Sequence, residues 1–460
     1  MPAMSVDRRD FLAGVGIGLA GLPFRSLLAE KPVVGPARAA VSLSVQDLGA
    51  VGDGVAKDTG AIQRALDRCA VLGGGEVVVP AGSYLTGALQ LRSKVLLRLE
   101  KDAVVMGTGD FADYPVTEVR WEGKWIPGHI ALIYAIDAED TGIVGPGKIV
   151  GNAALSGRPT KDQPLRHPAL IEPIRCRRIR FEDFSTSYAR TWSLHPTECE
   201  DVTIRGLTIR STGGNGDGID VDSCRRVVID RCDIATGDDC ISLKSGRGEE
   251  GYRIGMATKD VTISNCTFAD SIFACIGIGS ETSGGIRNVR VMDCRFTGAK
   301  TFAIYIKSRP GRGPFLDGFR AERLEASGMT GGFLRLNLLN SGLQDQDPVP
   351  GVEGIPSASN MVFKDIKVSD CPVLVDAGSV HPEKMVDGFS LTNVSGTCGA
   401  GITLANMRRV VIKDVRVTGF AGPLLRTHDV TGKGLEGAVA YDGPKVPEAV
   451  VVAGSGYRLR

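Results

Sequence analysis

Asn215 to Ser245 reads NGDGIDVDSCRRVVIDRCDIATGDDCISLKS. Two of its segments can be laid one on the other: Asp217-Gly-Ile-Asp-Val-Asp-Ser223 and Asp239-Cys-Ile-Ser-Leu-Lys-Ser245. Two later segments fit the same frame, Ala274-Cys-Ile-Gly-Ile-Gly-Ser280 and Phe302-Ala-Ile-Tyr-Ile-Lys-Ser308. The third and fifth positions are aliphatic in all four: Ile219/Val221, Ile241/Leu243, Ile276/Ile278 and Ile304/Ile306. Side chains alternate across a strand, so these positions share one face and the fourth and sixth share the other. The outward columns then read Asp220, Ser242, Gly277, Tyr305 and Asp222, Lys244, Gly279, Lys307. Such a pattern predicts short strands stacked rung on rung.

The repetition extends well beyond this stretch. One residue, two polar residues, then aliphatic–x–aliphatic recurs at Cys176, Cys199, Cys224, Thr258, Ile286, Leu316 and Met407. The interval is about 21 to 30 residues where no loop intervenes, a solenoid period. Helical periodicity is confined to Ile62, Ala65, Leu66, Cys69 and Ala70, with Asp58 as the expected N-cap and Gly73–Gly75 as the stop. A helix there suits a lid on the first coil. The fold expected is all-β: a right-handed single-stranded parallel β-helix of roughly ten coils with an N-terminal capping helix. Breaks at Thr108–Gly128, Gly151–Pro168, Gly246–Ala257 and Ser341–Pro356 are expected to be loops that wall a cleft. The Gly/Pro-rich end, Val430 to Arg460, is expected to cover the last coil.

The 460 residues include sixty glycines and eleven cysteines, and the formal net charge is +1. A balanced charge gives no bulk attraction to nucleic acid or to a membrane surface. Arg8-Arg9, an apolar run from Ala13 to Leu22 and Ala37-Arg38-Ala39 are expected to be a twin-arginine export leader over residues 1–40. Residues 41–460 are then the folded domain, periplasmic or secreted, free of the membrane once the leader is removed, and monomeric. Cys176, Cys199 and Cys224 occupy equivalent repeat positions, as do Cys232, Cys266 and Cys294, which favours stacked interior thiols over disulfides. No CxxC pair or His/Cys cluster suggests a zinc site.

Residues at one frame position in successive coils lie about one sheet spacing apart. Asp217 and Asp239 share such a position and Asp238 precedes the latter, so three carboxylates crowd together. Crowding splits their pKa values and keeps one protonated near neutrality, the equipment of glycosidic hydrolysis. Asp-Gly and Gly-Asp-Asp are also common turn formers, and an acidic cluster can bind calcium. His195 faces outward one coil before Asp220. It either binds a sugar hydroxyl or carboxylate, or is a hydrogen-bonded structural histidine.

Asn215-Gly-Asp217, Gly237-Asp238-Asp239 and Ile306-Lys307 are similar to the ordered motifs of glycoside hydrolase family 28, the polygalacturonase family. Leu194-His195-Pro196, Gly279-Ser280-Glu281, Ala61-Ile62-Gln63 and Ala131–Tyr134 resemble its bacterial exo-acting members, and the likeness covers residues 41 to 420. It implies a β-helix without metal or cofactor that hydrolyses α-galacturonide links in pectin with inversion. In that resemblance Asp238 is the general acid and Asp217 and Asp239 activate water. His195, Asn215, Asp220, Lys244, Tyr305 and Lys307 are the expected substrate-binding residues. Two positions depart from the family: Phe273-Ala274-Cys275 stands where it carries Gly-His-Gly, and Tyr305 where it carries an arginine. A rhamnogalacturonan-type hydrolase, a calcium-dependent lyase and an inactive carbohydrate-binding β-helix are the alternatives.

Overall fold

The aliphatic columns set the architecture. Ile219, Ile241, Ile276 and Ile304 are register partners in successive parallel strands, and the column runs on through Leu334, Val375, Ile402 and Leu425. It extends the other way through Leu194, Ile171, Ile133 and Leu89. These side chains are almost fully shielded from solvent. Ile179, Val202, Val227, Val261, Val289 and Phe319 form a second such column. Ile209, Ile234, Phe268 and Phe296 form a third. Three parallel faces wound about one apolar interior make a right-handed parallel β-helix, as the sequence predicts. This computed structural model describes residues 41–447 except 156, 158, 162 and 190. The expected leader and the end of the C-terminal cover lie outside the described residues.

Helix α1, Thr59–Val71, buries Ala61, Ile62, Ala65, Leu66 and Cys69 on the first coils. Asp58 sits at its N-cap position without capping it. Its carboxylate instead accepts hydrogen bonds from Val51 N (2.6 Å) and Gly52 N (3.0 Å), tying the preceding turn to the helix. The thiol stack is present: Cys176 N donates to Cys199 Sγ at 3.4 Å and Cys199 N to Cys224 Sγ at 3.2 Å. All eleven cysteines are free and buried. A thiol here is a small apolar filler that also accepts a backbone hydrogen bond from the coil beneath.

Two of the breaks hold more order than loops. Within Thr108–Gly128, Val116–Trp121 pairs antiparallel with Lys124–His129 as a hairpin. Within Gly246–Ala257 a short helix, α2, spans Gly248–Ile254. The hairpin folds over the outer face of the N-terminal coils, where Val119, Ile130 and Ile174 make a second apolar cluster. Among the described residues no helix is long and apolar enough to cross a membrane.

Phe268 is fully buried and stacks on Phe296 one coil on, with centroids 5.2 Å apart and rings 21° from parallel. Phe268→Ala should cost about 3–5 kcal/mol, measured as a lower denaturant midpoint; an unchanged midpoint would contradict a continuous interior. Because the thiols are unpaired, a reducing agent should leave the thermal unfolding temperature where it is.

Candidate active site

The strands Ile219–Asp222 and Ile241–Lys244 pair in register, Asp220 beside Ser242 and Asp222 beside Lys244. The segments that lead into them, Asp217-Gly218 and Asp238-Asp239-Cys240, are therefore stacked as well. Gly218 N donates to Asp239 O, and Ser193 N to Asp217 O. This stacking brings oxygens of Asp217, Asp238 and Asp239 within 4.8 Å of one another. Asp217 and Asp239 are buried and Asp238 is half-buried. One carboxylate oxygen of Asp238 accepts from Asn215 N (3.2 Å) and the other from Asp239 N (2.9 Å). Gly277, the outward residue of the next rung, leaves the space that Asp239 fills; a Cβ there would collide with its carboxylate.

Two ammonium groups meet these acids. Lys307 Nζ donates to Asp239 Oδ2 at 2.7 Å and lies 4.3 Å from the centre of the Phe273 ring. Lys244 Nζ lies 2.7 Å from Asp220, 4.0 Å from Asp217 and 4.0 Å from Glu281, over the Trp192 ring. Burial works against the charge of both lysines, yet the facing carboxylates hold both pKa values above the ordinary lysine value. Burial pushes the Asp217 carboxyl well above the usual range, and the charges of Asp220 and Asp238 push it further. Burial also raises Asp239, to about 6, against the pull of Lys307. Burial and like charge thus favour the neutral form of Asp217 more than that of Asp239, which Lys307 pulls towards ionisation. Three oxygens this close could hold a cation, but the two lysines already supply positive charge there.

The cavity above the acids is lined by Asn215, Trp192, Lys244, Glu281 and Lys307 among others. His195, Asp220 and Tyr305, expected at the cleft surface, do not line it. Trp192 stacks on Trp121 of the hairpin at 4.8 Å and meets the His195 ring edge-on at 4.6 Å. His195 is thereby sealed off, with Nδ1 2.9 Å from Glu172 and Nε2 3.2 Å from Thr197 Oγ1. Glu172 takes a bidentate pair from Arg166, at 2.8 and 3.1 Å. Although burial raises the Glu172 carboxyl, Arg166 and His195 bring it below its ordinary value. Asp220 is fully buried beneath Lys244. The Tyr305 hydroxyl turns to Ser341 and its ring to Phe273. Lys244 lines the cavity with its charge already engaged by carboxylates.

Sequence reasoning anticipates the wall loops but not the ion pairs that hold them. Asp345 binds both Arg247 and Arg312, the latter at 2.9 Å, and Arg247 reaches Glu122 at 3.0 Å. Lys124 pairs with Asp347, and Arg120 with Asp222 at 2.9 Å. The hairpin, the α2 segment and the loop after Ser341 are thus clamped over one side of the acids. Nothing in the local sequence marks these pairs, whose members lie up to 223 positions apart; only their occurrence in the predicted wall loops hints at them.

A crowded carboxylate cluster in a walled cavity on a β-helix is an arrangement that acid–base hydrolysis of a glycosidic bond can use. The model of glycosyl hydrolases family 28 matches residues 69–317, more than half of the chain, and the chain belongs to that family. It is 34% identical over 288 residues to a probable polygalacturonase of Vitis vinifera, covering 60% of this chain and 58% of the relative. Its fold matches an exopolygalacturonase from Thermotoga maritima (TM-score 0.69, 24% identity, 82% of this chain and 92% of that one). It also matches a family 28 exopolygalacturonase from Yersinia enterocolitica (TM-score 0.73, 19% identity, 85% and 78%). The chain spans about half the length of the curated relatives it matches.

A carboxyl raised by burial destabilises the fold where the unfolded chain would ionise it and the native chain holds its proton: the penalty is absent below about pH 4 and grows as pH rises towards the folded-state value. Asp217→Asn should therefore raise the unfolding temperature at pH 7 and change it little at pH 4. Equal shifts at both pH values would contradict the strained carboxyl.

Proposed function

We propose that the protein hydrolyses α-galacturonide-type linkages in pectin or a related acidic polysaccharide, working inward from a chain end. The observation that carries this reading is the cluster of Asp217, Asp238 and Asp239 beneath a cavity whose wall also brings Lys244, Lys307, Arg247 and Arg312 to it. The name of the Vitis vinifera relative supports the choice of polymer.

Asp238, the most open of the three, donates its proton to the glycosidic oxygen as the bond to the anomeric carbon breaks. Asp217 and Asp239 both accept hydrogen bonds from one water, whose oxygen forms the new bond from the opposite face; its proton passes to this pair. The sum is addition of water with inversion at the anomeric carbon. Inverting acid–base pairs are commonly about 6.5–9.5 Å apart. The nearest oxygens here are closer, so the water lies beside the group, bridging Asp217 and Asp239, rather than between acid and base. The three carboxylates lie within 4.8 Å of one another, so a proton held by the cluster is within a short transfer of Asp238. Lys307 keeps Asp239 ionised for this role.

The clamped wall supports action at a chain end. Loops joined through Asp345, Arg247 and Arg312 close one side of the cavity, and the Trp121–Trp192 stack closes the floor beside it. A polymer threading past would have to break these pairs. Action on an external polymer also suits the export that Arg8-Arg9 and the apolar run after them lead one to expect.

On a panel of polygalacturonate, rhamnogalacturonan and xylogalacturonan, Asp238→Asn should lower kcat about 10²- to 10⁴-fold on whichever polymer the wild type cleaves. Reducing ends should accumulate without near-ultraviolet absorbance and without effect of a chelator. Unsaturated products and loss of activity with chelator would make the protein a lyase. Asp345→Ala should loosen the wall, so that a single small product gives way to a mixture of oligomers; an unchanged product pattern would contradict the closed end.

A further inference from the structure

We propose that Phe273, Tyr305 and Arg335 form a second substrate subsite, in which Arg335 holds the carboxylate of a uronate distant from the cleaved bond. This rests on the reading of the protein as a hydrolase of an acidic polysaccharide and names where the rest of that chain lies.

The outer face carries an apolar cluster separate from the helix interior: Ala274, Phe302 and Tyr305 are buried, with Phe273 and Val373 half-buried around them. It adjoins the acids directly, since Lys307 bridges from Asp239 to the Phe273 ring. Phe273 and Tyr305 are stacked, 5.7 Å between centroids and 21° from parallel. The comparable cluster towards the N-terminus lies under the hairpin, whereas Phe273 here is part-exposed. Sugar rings lay their C–H faces on aromatic surfaces of this kind.

Arg335 is the register partner of Tyr305 on the next rung. Its guanidinium lies 5.4 Å from the Tyr305 centroid and 5.6 Å from that of Phe302, with 36% of the side chain exposed. Nε lies 3.4 Å from Asp376 Oδ2 and makes no hydrogen bond. The two rings flank the guanidinium, and its planar fork is suited to bidentate recognition of a carboxylate. Arg335 stands three rungs from Ser242, which is about 14 Å by the sheet spacing. A short oligomer with one end at the acids reaches it; a dimer does not. The outward column runs from Gly277 through Tyr305 to Arg335, so the chain has this way to run.

The test compares wild type, Arg335→Met, Arg335→Lys and Phe273→Ala on galacturonate oligomers from dimer to hexamer, with thermal unfolding as a check on folding. Arg335→Met should raise KM on the tetramer and longer by about tenfold, the loss falling on KM rather than kcat, with much less on the dimer. Lysine should restore part of it, and Phe273→Ala should show the same dependence on length. A KM that ignores residue 335 at every length, or rises equally on dimer and tetramer, overturns the subsite. A wild type that cleaves no galacturonate oligomer refutes the functional reading instead. Calorimetric binding of the tetramer still tests the subsite in that case, and equal affinity of wild type and Arg335→Met overturns it.

Discussion

Parallel pairing in strict register is the constraint from which everything else follows. Once Ile219 faces Ile241 across a sheet spacing, the residues at the head of those strands have no choice of neighbour. Asp217 and Asp239 must crowd, although like charges in a buried place repel. The fold absorbs this through Lys307 on one side, Lys244 on the other, and the hydrogen bonds that Asn215 and Asp239 give to Asp238. Stability elsewhere in the ladder is what allows such an unfavourable cluster to persist.

Around the acids the outer face is a graded series of buried charges. Arg166, Glu172 and His195 form one linked group, Asp220, Lys244 and Glu281 a second, and Arg247, Asp345 and Arg312 a third. A buried ion pair is weak evidence for stability, and removing one partner strands the other charge in the interior. Here the pairs fix loops from distant parts of the sequence over one cavity. Glu281 shows the effect: burial would neutralise it, yet Lys244, Arg312 and Arg247 keep it below its ordinary value.

The ladder was legible because its signal is local and periodic. The four aligned segments gave the correct register for Asp220, Ser242, Gly277 and Tyr305, and the cysteine spacing gave the thiol stacks. Alternation tells which face a residue occupies, but not what lies on top of it. That is why alternation puts His195 on the outer face yet leaves open whether it meets a sugar: the hairpin that carries Trp121 covers it, and nothing near His195 records that hairpin. Asp220, beneath Lys244, is hidden in the same way, while Tyr305 lies off the cavity in the neighbouring aromatic cluster. Asp58 was given a helix cap from its position, while its carboxylate is taken by the backbone of Val51 and Gly52.

The central claim is that Asp217 and Asp239 act on a single water as one unit. Turnover of polygalacturonate by Asp217→Asn, Asp239→Asn and the double variant tests it, because residues that serve one step together are non-additive. The account expects the double variant to be no slower than the worse of the two single ones. Losses that multiply would mean that the two carboxylates do separate work, and would contradict it.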